Sequence, residues 1–306
     1  MRLPRVSVAA VLFAGTISAI FPQQQAPTGF RAGVDAVMID VSVFTGNAPV
    51  SGLTAADFAL TDNGVAQTIT SAAVEQLPID LTLVLDASGS MKSATDRVRL
   101  ETLRIASGLG ADDGFRLMKF ATLVASSRLQ RVGGMTGLDF PSPGGSTSFY
   151  QALLSSLIVA RRVGTADRRQ LIVAMSDGQD SSSFLNPQDV LRAAQSSDAV
   201  LHVFLVRSPS GGTPAAGWHP YWDAETVPLD AIAAQTGGWC YREQTAEIDV
   251  ARRMADVVTG FRTSYVLRYT ASGVPQAGWH DVAIQVNKPG KFVVRAKKGY
   301  FGAGGR

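Results

Sequence analysis

Leu81-Thr82-Leu83-Val84-Leu85-Asp86-Ala87-Ser88-Gly89-Ser90, with Met91 and Lys92 behind it, decides how this chain is organised. Five mostly apolar, partly β-branched residues predict a strand buried on both faces, as in a parallel sheet. Asp86 falls where that strand must end. Beyond it one carboxylate and two hydroxyls, from Asp86, Ser88 and Ser90, stand at alternate positions, and Gly89 eases a tight turn. A loop at the carboxyl end of a buried strand aims such groups at one point, which makes a set of hard oxygen donors. That set suits Mg²⁺ better than Zn²⁺, because Mg²⁺ prefers an octahedron of oxygens and keeps several waters.

Three donors leave an octahedron incomplete, so other loops on the same sheet edge must contribute. Gly144-Gly145-Ser146-Thr147-Ser148-Phe149-Tyr150 offers a threonine in a Gly-rich loop that opens a helix. Leu171 to Asp177 is a second buried apolar run that ends in a carboxylate and is followed by Gly178. A plainer reading competes at each position taken alone. Asp and Ser after a strand cap the next helix, and Gly-Gly-Ser-Thr is an ordinary loop.

Taken together, Asp86-x-Ser88-x-Ser90, Thr147 three residues before Tyr150, and Ser176-Asp177-Gly178 resemble the metal-ion-dependent adhesion site of von Willebrand factor type A domains. The resemblance covers residues 77–261. It implies an ion, Mg²⁺ or else Mn²⁺ or Ca²⁺, held by Asp86, Ser88, Ser90, Thr147 and Asp177. The two serines would be direct ligands, and the other three direct or through water. One open position would take a carboxylate from a partner protein, a recognition role without bond chemistry.

The stretch around these motifs alternates strand and helix. Val98, Thr102, Ile105 and Leu109 share one helical face, and Phe115–Phe120 and 127–132 read as strands. Phe149–Arg161 reads as a helix with Leu153, Leu154, Leu157 and Ile158 inward. Arg169–Ser176 is a strand, and Asn186 with Pro187 opens a helix in the expected cap-then-Pro order. Val200–Val206 is a strand, Pro228–Gln235 a helix closed by Gly237, and Glu247–Phe261 the last helix. Such alternation predicts an α/β, doubly wound, mostly parallel sheet, with ligands beyond the carboxyl ends of its strands where strand order reverses. The strands ending at Asp86 and Asp177 would flank that reversal.

Both ends of the chain are β-rich instead. Val34–Phe44 alternates, Leu53 to Phe58 reads as one helical turn capped by Thr54 with Asp57 reaching back, and Asp62-Asn63-Gly64-Val65 signals a type I′ hairpin. At the far end 265–270, 282–286 and 292–297 alternate too, with a turn at Asn287-Lys288-Pro289-Gly290. Neither set suffices alone, so the economical arrangement pairs them into one β-sandwich with the α/β part inserted. The leader, Gly52 to Phe58, and the closing Lys297-Lys298-Gly299-Tyr300-Phe301 resemble an exported acidobacterial family related to type A domains. The expected divisions are 1–27 leader and spacer, 33–76 first β segment, 77–262 type A domain and 263–302 second β segment.

Met1–Arg5 is basic and Val6–Phe21 almost unbroken apolar, ended by Pro22 and three glutamines, the layout of a secretory signal. Periplasmic or secreted placement is the expectation, with an uncleaved membrane tether as the competing arrangement. A hydrophobic share of 46% supports real cores, and a net charge of +3 with scattered positives excludes the basic stripe of a nucleic-acid binder. Cys240 is the single cysteine, which rules out an internal disulfide, and it reads as a packed apolar side chain.

Two further features bear on recognition. Asp180 reads either as a solvated turn residue or as a side chain that holds the loop or a water. The irregular stretch 208–227 carries Trp218, His219, Tyr221 and Trp222, either partner anchors on the metal edge or a loop folded onto its own helices. Two other functions compete with a protein-binding module. An envelope scaffold would use the ion only to stiffen loops. A serine hydrolase would use His219, but no Gly-x-Ser-x-Gly elbow occurs, and the motif serines already fit a metal spacing.

Overall fold

The buried run at Leu81 becomes the centre of a parallel sheet. The computed structural model describes residues 36–46, 48–134, 138–165, 167–206, 228–242 and 250–302. Residues 35–306 group as one unit, and the expected leader, 1–27, lies outside the described residues. Strands β1 (Val37–Thr45), β2 (Ala48–Pro49), β3 (Phe58–Asp62), β4 (Val65–Gln67) and β5 (Ile69–Val74) come first. The alternating part contains β6 (Ile79–Asp86), α1 (Thr95–Ser107), β7 (Gly114–Phe120), β8 (Val124–Ser126), β9 (Gln130–Arg131), α2 (Phe149–Val163) and β10 (Arg169–Ser176). It continues through α3 (Pro187–Gln195), β11 (Val200–Leu205), α4 (Leu229–Gln235), β12 (Cys240–Arg242) and α5 (Val250–Arg262). Strands β13 (Tyr265–Tyr269), β14 (Gly278–Val286), β15 (Val293–Ala296) and β16 (Gly299–Gly302) close the chain.

The central sheet has the order β12-β11-β10-β6-β7-β8, with β9 also beside β7. Pairing is parallel from β12 to β7, and only β8 and β9 run antiparallel. Every residue of β6 and β10 is buried, which is why both read as near-continuous apolar runs. The chain passes from β6 outward to β7 and then returns to β10 on the other side, so strand order reverses between β6 and β10. One face packs Val84, Phe120, Phe149 and Leu153 against α2, and the other packs Leu83, Met91, Ile105, Met254 and Phe261 against α1 and α5.

Two local expectations change. In α2 the inward stripe is Phe149, Ala152, Leu153, Ser156, Leu157 and Ala160, while Leu154 is half-buried and Ile158 is 41% exposed. Small residues let the helix approach the sheet, and apolar size alone does not reveal them. Of the expected strand over 127–132 only β9 forms, and β8 ends just before it. Ser127 Oγ accepts the Leu117 N–H at 3.0 Å, so a side chain replaces a ladder acceptor and interrupts the pairing.

The two ends of the chain interleave as expected. One antiparallel sheet has the order β15-β1-β13-β5 with β2 on β1, and the other β16-β14-β3-β4. Ile39, Val41, Val43, Phe58, Leu60, Leu267 and Val282 fill the space between them. The β3–β4 turn pairs Asp62 with Val65, and Asn63 and Gly64 take φ values of +46° and +78°, the type I′ geometry. Thr54 N–H donates to Asp57 Oδ2 at 2.7 Å, closing the predicted single turn.

A polar cluster inside the sandwich carried no sequence signal. Fully buried Asp62 accepts from the Tyr269 hydroxyl at 2.9 Å and the Tyr300 hydroxyl at 2.8 Å, and its Oδ1 pairs with His280 Nδ1 at 2.8 Å. Burial pushes the Tyr300 hydroxyl up to about 12, and it raises Tyr269 as well. The three partners come from β13, β14 and β16, so one carboxylate ties both sheets together.

The sandwich meets the α/β part along the β12 edge. Arg295 lies over the Trp239 ring at 3.6 Å, Lys298 N–H donates to the Gln235 carbonyl at 3.1 Å, and Lys297 pairs with Asp198 at 3.0 Å. On β1, Asp40 pairs with Arg169 at 2.5 Å. Half-buried His202 stacks on Tyr241 here, and burial, with the Arg295 charge adding, pushes its imidazole down to about 3.

Two outcomes are expected. Asp62→Ala removes the acceptor shared by two hydroxyls and a ring nitrogen, at about 1–3 kcal/mol for each group left without a partner, so urea denaturation should give about 3 kcal/mol less stability. The fold holds His202 neutral, whereas the unfolded chain protonates it below its ordinary value of 6.5. Its contribution is therefore full above pH 6.5 and declines as pH falls toward 3. The melting temperature of His202→Leu should fall less steeply over that window than that of the unsubstituted chain.

Candidate functional site

Three loops converge beyond the carboxyl ends of β6, β7 and β10, and backbone bonds fix their order. Ala87 N–H donates to the Phe120 carbonyl at 2.7 Å, Gly144 N–H to Ala87 at 2.8 Å, and Gly89 N–H to Gly145 at 3.0 Å. Ser148 N–H reaches Ala121 at 2.9 Å, and Ser146 N–H donates to Thr122 Oγ1 at 3.0 Å. Gly145 takes φ +80° there, and a Cβ would lie 2.7 Å from Thr122 Oγ1, so a larger residue would force the loops apart. Gly89, expected to make the tight turn, keeps ordinary φ, and its role is the bond to Gly145.

The five residues expected to bind metal occupy these loops. Asp86 closes β6, Asp177 follows β10, and the two strands are hydrogen-bonded neighbours. Asp86 Oδ1 accepts the Ser88 N–H at 2.8 Å and Oδ2 the Ser176 hydroxyl at 2.5 Å. Ser88 and Ser90 hydroxyl oxygens are 3.1 Å apart. Asp86, Ser88, Thr147 and Asp177 are all buried. Burial pushes the Asp86 carboxyl up to about 6, against the pull of its bonds to Ser176 and Ser88, and the nearby Asp177 charge raises it further. Asp177 Oδ1 accepts the Gln179 N–H at 3.0 Å, while its Oδ2 is buried without a hydrogen-bond partner.

This donor set fits a hard cation. Two buried carboxylates, one with an orphaned oxygen, and a pair of adjacent hydroxyls are a poor arrangement on their own, and a divalent ion, if bound, would compensate for both the desolvation and the mutual repulsion. Among the described residues no group of three or more His, Cys, Asp or Glu comes together to hold an ion, so oxygen donors from hydroxyl side chains have to supply part of any shell.

Asp180 takes the loop-holding role of its two readings. It is buried rather than solvated, and it accepts the Tyr150 N–H at 2.8 Å and the Ser183 N–H at 3.0 Å. The carboxylate thus caps the first turn of α2 from another loop, where the helix dipole favours negative charge. Ser181, Ser182 and Ser183 complete the seam, with Ser181 Oγ accepting from Thr147 N–H at 2.9 Å, Ser182 Oγ 2.8 Å from Ser148 Oγ, and Ser183 Oγ accepting from Gln151 N–H at 3.1 Å. The serine run reads as an ordinary polar loop because its partners lie over thirty positions away in the chain.

Trp218, His219, Tyr221 and Trp222 lie outside the described residues. Of the remaining histidines, His202 is on β11 and His280 in the sandwich, so neither belongs to the serine loop. Cys240 is buried, and burial pushes its thiol up to about 12, in keeping with a packed apolar role. No helix among the described residues is long and apolar enough to cross a membrane.

No protein-family model matches the chain, and no curated protein matches it. Among solved structures it is similar to a von Willebrand factor type A protein from Catenulispora acidiphila, at 15% identity and a TM-score of 0.44, over 85% of this chain and 65% of that one. It is similar to the conserved hypothetical protein BatB from Bacteroides thetaiotaomicron, at 14% identity and a TM-score of 0.40, over 60% of this chain and 98% of that one. It is also similar to the manganese-loaded TRAP protein of Plasmodium vivax, at 15% identity and a TM-score of 0.40, over 78% and 97%. The chain's own topology is a mostly parallel, doubly wound sheet whose strand order reverses beside the Asp86 strand, with all three motif loops on one edge.

Removing the Asp180 carboxylate orphans two backbone donors, one of them in the first turn of α2. Asp180→Ala should lower stability by about 2 kcal/mol in chemical denaturation, and Asp180→Asn, which keeps an acceptor, by less.

Proposed function

We propose that this chain is an exported protein-binding module whose Mg²⁺-type ion, held by Asp86, Ser88, Ser90, Thr147 and Asp177, bridges to a carboxylate of a partner protein. The observation that carries the reading is the buried, unpartnered Asp177 Oδ2 beside Asp86, on adjacent strands that end at the same sheet edge. When bound, the ion supplies an electron-poor coordination position that an acidic group can fill.

The residues around it act by positioning. Ser176 holds one Asp86 oxygen and the Ser88 backbone the other, which orients that carboxylate toward the serine loop. Gly89, Gly144 and Ser181 tie the three loops to one another by hydrogen bonds. Export is proposed from the basic and apolar leader of residues 1–21.

A Mg²⁺ titration of the chain after chelator treatment tests the site. Native-state binding stabilises by RT ln(1 + [L]/Kd), about 2.7 kcal/mol at a hundredfold excess over Kd. The melting temperature should rise saturably, and the rise should vanish in Asp86→Ala and Asp177→Ala. An identical rise in both variants would reject these residues as ligands.

A further inference from the structure

Two side chains on loops bonded to the site's own loops are exposed far beyond any other large apolar residue described. Leu123 is 79% exposed and Phe184 is 76%, whereas Leu100 and Leu103, the next in rank, are each 48%. Scattered surface leucines are ordinary. Here the two extremes fall on the same edge of one sheet. Leu123 follows β7 and Phe184 follows β10, and β7 and β10 are the neighbours of β6 on its two sides. Both loops therefore leave the same sheet edge as the loop that carries Asp86, Ser88 and Ser90.

Neither hangs on a loose segment. Leu123 is adjacent to Thr122, whose Oγ1 accepts from Ser146 and whose carbonyl accepts the Ser148 hydroxyl at 3.0 Å, and the Leu123 carbonyl itself accepts the Ala121 N–H at 3.1 Å. Phe184 follows Ser183, which is bonded to both Asp180 and Gln151. It also precedes Asn186, whose side chain caps α3 through the Gln188 N–H at 2.9 Å. Holding large apolar groups in water on anchored loops has no benefit for folding. On a binding rim it lowers the ordering cost of association.

We infer that Leu123 and Phe184 are apolar contacts flanking the carboxylate position, and that the partner is a protein segment presenting an acidic residue with apolar residues on both sides. The inference rests on the metal-bridging function proposed above. The ion sets the charge of the partner's central group, and the two side chains set the character of its flanks.

Two fluorescent peptides with the same central glutamate, one flanked by leucines and one by serines, provide the probe. Each would be titrated by anisotropy against the full chain in millimolar Mg²⁺ and in EDTA, with Leu123→Ser, Phe184→Ser and Asp177→Ala beside it. The leucine-flanked peptide should bind about tenfold more tightly in Mg²⁺, about what burying one such side chain supplies. Either rim variant should lose most of that preference while keeping its Mg²⁺-dependent rise in melting temperature. Equal binding of the two peptides would overturn the inference while leaving the metal function intact. A fall of several degrees in the melting temperature of both rim variants would overturn it too, because the side chains would then be covered by the chain itself. Absence of any Mg²⁺ effect on melting or on peptide binding would instead reject the metal function, and this inference with it.

Discussion

The parallel pairing of β6 with β10 is the constraint on which the rest depends. Both strands are buried along their whole length, so the chain must cover two faces of the sheet, and α1 with α5 on one side and α2 with its neighbours on the other do so. The same pairing brings Asp86 and Asp177 to the ends of two adjacent strands. Strand order reverses between them, so their meeting at one sheet edge is a product of the topology.

The loops over that edge are built from small polar residues for a physical reason. Close approach of three backbone segments excludes bulk, as the Gly145 contact with Thr122 illustrates, and every buried N–H needs an acceptor. Serine and threonine hydroxyls from Thr122 and 181–183 provide acceptors that the neighbouring backbone lacks. Asp180 brings a charge to the start of α2 from a separate loop, so the helix and the site share one support. A rim fixed in this way can display Leu123 and Phe184 without collapsing onto them.

The sandwich meets a different demand. Its strands come from the two ends of the chain, and each sheet takes members from both, so neither end can complete a core without the other. Asp62 is the polar counterpart of that arrangement, since its partners arrive from β13, β14 and β16. Arg295 and Lys297 then join the sandwich to the α/β part near β12, opposite in sheet order to β7 and β8.

The sequence by itself determined the parts of this protein that depend on local pattern. The buried runs before Asp86 and Asp177, the Asn186-Pro187 helix start, the Asn63-Gly64 turn and the Thr54–Asp57 turn each announce themselves within ten residues, because strand burial, capping and left-handed turns are short-range constraints. The alternation of both ends also implied a sandwich between them. Tertiary structure alone decided the rest. Asp180 became a buried cap and not a solvated turn because its acceptors face a helix thirty positions earlier, and the small residues of α2 became its inner face because the sheet lies so close. Asp62 gained its tyrosines and histidine from more than two hundred residues away, and Leu123 and Phe184 became a pair only when β7 and β10 closed around β6. Pairings of that kind follow from chain reversal and strand order, which no local pattern encodes.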